Sequence, residues 1–83
     1  MVLSPTQWEI LRALGQGAEL HWRNGQQDRP VAYLVLERGT RAVRADTLAT
    51  LVRRGLIEEV EQTGDAFKRY AVTETGRRAT LSG

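Results

Sequence analysis

Arg38, Arg41, Arg44, Arg53 and Arg54 share the segment 38–54 with a single acidic residue, Asp46. A guanidinium forks onto phosphate oxygens and base edges as well as onto carboxylates, so such a block suits a polyanion or an acidic protein surface. The next segment inverts the sign: residues 55–63 contain Glu58, Glu59 and Glu61 and nothing basic, with Lys68 and Arg69 just beyond. The net charge is only +2, and the isoelectric point is near 9.7. The distribution of charge is therefore more informative than its total. All basic residues except Lys68 are arginine, a bias that favours planar bidentate contacts and that genome composition can also produce.

Other site chemistries lack their residues. There are no cysteines and one histidine, His21; a zinc site would need carboxylates for every other ligand, so His21 reads as a solvated strand residue. Ser4 is placed to cap a helix and Ser82 lies in the tail, which leaves no nucleophile for a hydrolase triad. Glu58 and Glu59 are neighbours that a strand would send to opposite faces, not a carboxylate pair. No stretch matches a phosphate-binding glycine loop. Trp8, Trp22, Tyr33, Phe67 and Tyr70 are dispersed along the chain and suggest no stacking platform for single strands. The expectation is a protein that is not an enzyme, with no cofactor, no metal and no evident small-molecule ligand.

A chain of 83 residues makes one domain, 1–83, with a small core that packing alone must stabilise. Its longest apolar run, Val31 to Leu36, is far shorter than a membrane span of roughly 20 residues. The start, MVLSPTQWEI, lacks the basic and apolar regions of a signal peptide. A cytoplasmic location without membrane association is expected.

Local patterns place the elements. Ser4, Pro5 and Gln7 form a capping box with proline at the first helical position. Leu3 can staple onto Trp8, and Trp8, Ile10, Leu11 and Leu14 share one face, which predicts a helix over 5–14 ended by Gly15 and Gly17. From Ala18 the period becomes two, and VAYLVLE (31–37) is rich in strand formers, so a hairpin turning through NGQQDRP is expected. A short helix over 30–38 is the competing reading. Helix 45–54 is predicted to bury Ala45, Leu48, Ala49, Leu51 and Val52 and to expose Thr47, Thr50, Arg53 and Arg54, with RGTRAV as an extended lead-in and Gly55 as C-cap. Segments 56–62 and 66–73 flank Thr63-Gly64-Asp65 as a second hairpin, Thr73 caps a short final helix, ETGRRATL, and Ser82-Gly83 is expected to fray.

LxxLVRRGLI, a hairpin, and RYAVTETGRR together resemble the recognition helix, wing and closing turn of winged helix-turn-helix proteins. The matching positions are Leu48, Leu51, Gly55, Leu56, Ile57, Tyr70, Val72, Thr73 and Gly76, and LSPTQWEILRAL is similar to the opening helix of such domains. Between these parts the chain offers a hairpin and RGTRAV where the family has a second helix. That plan resembles, loosely, small stand-alone bacterial and phage members such as the YjhX-type toxin family.

The resemblance implies an α+β winged helix, ordered helix, hairpin, helix, hairpin, short helix, that binds double-stranded DNA as a bacterial or phage transcriptional regulator. Thr47, Thr50, Arg53 and Arg54 would face the major groove, Arg41 and Arg44 would neutralise phosphates beside the helix, and Lys68 and Arg69 would reach the backbone from the wing. So small an interface implies a homodimer on two half-sites. The acidic wing supports an alternative, an interaction module or toxin-like effector that never touches DNA; its carboxylates could also pair across the hairpin with Lys68 and Arg69. A third option is an enzyme subunit whose partner supplies the chemistry.

Overall fold

The computed structural model describes residues 3–24, 30–64 and 67–81. They form α1 (Pro5–Gly15), β1 (Glu19–Asn24), β2 (Pro30–Leu36), β3 (Gly39–Val43), α2 (Ala45–Arg53), β4 (Ile57–Thr63), β5 (Phe67–Val72) and α3 (Glu74–Leu81). The five strands make one antiparallel sheet in the order β3-β2-β1-β5-β4. No helix among the described residues is long and apolar enough to cross a membrane.

This strand order overturns the winged-helix expectation. The predicted helices and hairpins appear in sequence, and the segment read as strand over 31–37 is strand over Pro30–Leu36 rather than helix, with Glu37 in the turn that follows. RGTRAV, however, is no bare lead-in: residues 39–43 pair with β2 as a third strand, and β1 pairs with β5, so both hairpins belong to one large sheet. The physical reason is the alternation of apolar residues across the register. Leu20 lies opposite Leu34 on one side and Tyr70 on the other, Ala32 opposite Val43, and Ile57 opposite Val72, all buried. One continuous sheet puts all of them behind a single helical layer, which separate hairpins could not do. The turn through Glu37 and Arg38 is closed by Gly39 at φ +141°, a conformation that side chains disfavour. Residues 25–29 of the expected first turn, Asp65 and Ala66 of the second, and Ser82-Gly83 lie outside the described residues.

Helix placement follows from caps and apolar faces. The Gln7 N–H donates to Ser4 Oγ at 3.2 Å and the Ser4 N–H to Gln7 Oε1 at 3.1 Å, forming the expected capping box. Ile10, Leu11 and Leu14 of α1 and Leu48 and Leu51 of α2 enter one core with the strand residues. Trp8 is half-buried, with the Arg12 guanidinium 4.9 Å from its ring centre. Thr73 caps α3 by accepting from the Gly76 N–H at 3.1 Å, and its hydroxyl donates to the Gly55 carbonyl at 2.6 Å. That residue therefore ties the start of α3 to the end of α2.

Candidate interaction surface

The eight residues expected to contact DNA do not gather on one surface. Arg41 points to the helical side of the sheet, where its Nη1 donates to Glu9 Oε2 at 3.0 Å. Lys68 shares that side but belongs to β5, three strand spacings or about 14 Å away, with its Nζ 5.3 Å from the Trp22 ring centre. Arg69, its neighbour in the strand, points to the opposite side. Arg44 precedes α2 with its Nε 3.3 Å from Asp46 Oδ1, Arg53 is exposed on the last turn of α2, and Arg54 forms the C-cap. Exposed ion pairs of this kind contribute at most about 1 kcal/mol, so a partner could displace them.

Helix α2 is also rolled relative to the sequence-based expectation. Leu48 and Leu51 are buried, but Thr47 and Thr50 flank them half-buried, while Ala45, Ala49 and Val52 face outward, Val52 at 42% exposure. Local hydrogen bonding meets the Thr50 hydroxyl as it turns inward and gives the Thr47 backbone amide a partner. The Thr47 N–H donates to Asp46 Oδ1 and the Thr50 hydroxyl donates to the Asp46 carbonyl, each at 2.9 Å.

On the side away from the helices, three rings meet. His21 of β1 lies 5.3 Å from the Tyr33 ring of β2, tilted by 59°, and 5.1 Å from the Phe67 ring of β5, nearly edge-on at 86°. Edge-to-face packing of this kind is favourable and leaves other ring surface turned outward. The Arg23 guanidinium lies 5.9 Å from the centre of Tyr33, and Val31 and Val35 extend the β2 row on the same side. No helix among the described residues covers these side chains, since the helices pack on the opposite face.

The rim of this face carries both signs of charge. Arg69 Nε donates to Glu61 Oε2 at 3.1 Å, and its Nη1 lies 3.8 Å from Glu19 Oε1. The cross-hairpin pairing foreseen for the acidic wing thus holds for Arg69 and, among the described residues, not for Lys68. His21 is not the solvated residue expected: its side chain is 18% exposed, and its Nε2 is buried without a hydrogen-bond partner among the described residues, 3.8 Å from Glu19 Oε2. A buried polar atom left in that state costs about 1–3 kcal/mol.

Sequence reasoning missed this cluster by judging the aromatics too dispersed. The overlooked signal is VAYLVL (31–36), which has no polar position. An antiparallel strand with one solvated face alternates, whereas this one is apolar on both sides.

Tyr70, on the helical side opposite Glu59, titrates abnormally. Burial raises its phenol above the ordinary value of 10.0, and the Glu59 carboxylate raises it further. The folded chain therefore keeps this proton to higher pH than the unfolded chain. The associated stability is complete below the unfolded value and is lost as pH rises through the folded one. Tyr70→Phe should accordingly lose less stability than the wild type between about pH 9 and about pH 11 in urea titrations. Equal losses would show that another group sets the alkaline limit.

No cluster of three or more His, Asp or Glu side chains that could hold a metal occurs among the described residues. A cleft of about 570 Å³ lies between the end of α1 and the β2–β3 turn, lined in part by Ala13, Gln16, Leu36 and Arg38. No family model matches the chain, and no curated protein or solved structure does either.

Proposed function

We propose that this chain is a protein-interaction module that docks its partner on the open face of the sheet. The observation that carries this reading is the His21, Tyr33 and Phe67 cluster, left uncovered by the helices at the centre of that face. Aromatic anchors ringed by polar residues are the usual composition of a protein-binding patch. Neighbouring charges of both signs, Arg69 with Glu19 and Glu61, complement another protein surface and oppose a polyanion.

Duplex DNA is the second reading. Arg53, exposed on α2 without a partner among the described residues, favours it, while the inward turn of Thr47 and Thr50 and the loss of winged-helix docking geometry count against it. One experiment separates the two. Tagged wild-type chain, Tyr33→Thr/Phe67→Thr and Arg53→Ala/Arg54→Ala are crosslinked in cells and purified; threonine preserves strand preference while deleting the rings. The proposal predicts that the ring variant loses a co-purifying protein by at least about tenfold and that the arginine variant retains it. The opposite pattern, with duplex affinity that falls with log salt and does so less steeply in the arginine variant, would establish the DNA reading instead.

A further inference from the structure

The sheet ends in two edges of different character. On β4 a bulge between Glu59 and Glu61 breaks the register, and Glu58, Glu59 and Glu61 line the strand with negative charge. Bulges and charges are the usual guards against strand-to-strand association. β3 has neither a bulge nor a proline. Its pairing with β2 runs uninterrupted from Val43 to Gly39, and residues 39–42 are exposed. Alternate N–H and C=O groups of such an edge face outward, free to pair with another extended chain.

We infer that the outer edge of β3 takes up an extended, acidic segment of a partner protein as a sixth strand. This inference rests on the reading of the chain as an interaction module. Backbone pairing supplies affinity in this mode of recognition, and flanking side chains select the sequence. The flanks here are basic: Arg38 precedes β3 and Arg44 follows it, with no acidic residue from 38 to 45. Both are exposed and stand about 20 Å apart along the strand. Arg44 also marks the start of α2, whose dipole adds partial positive charge at that end. Arg41 is engaged by Glu9 and Arg44 lies 3.3 Å from Asp46, but the Arg44 pair is the more exposed of the two, and a partner's carboxylate can displace so exposed a pair at little cost. The acidic β4 of a second copy is the competing occupant, but its bulge interrupts the ladder, and contact of β3 with β4 is head-to-tail and builds rings or open filaments rather than a simple dimer.

The test uses the full chain and three soluble peptides roughly nine residues long, enough to span β3. One alternates valine and glutamate, one replaces glutamate with lysine, and one is the glutamate peptide N-methylated at alternate positions. Affinity is measured by anisotropy at low ionic strength, where charge selection is least screened, and amide exchange is read residue by residue. The glutamate peptide is expected to bind at least about tenfold more tightly than the other two and to protect β3 amides. Arg38→Glu/Arg44→Glu should reverse the order of the glutamate and lysine peptides. Absence of glutamate-peptide binding, binding without β3 protection, or equal binding of the N-methylated peptide overturns strand addition. Self-association through β3 that the peptide cannot compete away does the same. If strand addition fails while Tyr33→Thr/Phe67→Thr still loses its partner, the open-face reading survives; if that variant also keeps its partner, both fall.

Discussion

Leu20→Ala is expected to lower unfolding stability by about 2–5 kcal/mol in one cooperative transition. Leu20 is 0% exposed on the central strand and lies directly between Leu34 of the first hairpin and Tyr70 of the second. Truncation there removes buried methyl groups and leaves a cavity that a close-packed sheet relaxes only in part. Small domains have roughly 5–15 kcal/mol in total, so the variant should sit near its folding threshold. Urea unfolding followed by far-ultraviolet circular dichroism and by Trp8 and Trp22 fluorescence checks this. Two separate transitions, or a loss under about 1 kcal/mol, would mean that the hairpins are not joined through β1 and β5.

Gly76→Ala is expected to destabilise by about 1–3 kcal/mol, against the normal sign for a helical glycine. Alanine in a helix usually gains up to about 1 kcal/mol over glycine. Here a β-carbon would fall on the Leu56 carbonyl oxygen and 2.8 Å from Val72 Cγ2. The Leu56 carbonyl cannot readily yield, because it accepts from the Thr73 N–H at 3.0 Å while the Thr73 hydroxyl holds Gly55. The close approach of α3 to the α2–β4 junction therefore depends on Gly76 lacking a side chain. Urea midpoints of the two proteins give the answer, and a stabilised alanine variant would place α3 elsewhere.

Local signals carried most of the element assignments. The capping box at Ser4 and Gln7, the cap at Thr73 and the two-residue period of β1 each act within a few positions, and each is present in the fold. The join of β1 to β5 leaves no such mark, since Leu20 and Tyr70 are 50 positions apart and meet only through the sheet register. β3 was hidden for a different reason: RGTRAV contains too few apolar residues to display a period, and its pairing is driven by the turn at Gly39 and by Val43 meeting Ala32. In α2 the helical wheel put Ala49 and Val52 beside the buried leucines, whereas Thr47 and Thr50 flank them in the fold, because the wheel gives the spacing of a face and not the roll of the helix on the sheet. The candidate site had the same limit. The three rings fall on alternate positions of three strands, and only cross-strand register brings them together.

The claim that the open face is the docking surface is tested most directly by site-specific photo-crosslinking in cells. A photoreactive residue is placed in turn at Arg23 and Val31, which are exposed cross-strand neighbours on the open face, and at Ala49 and Arg77, which are exposed on the helices. Protein adducts from the first two positions and none from the last two are predicted. Adducts confined to Ala49 and Arg77 would contradict the account.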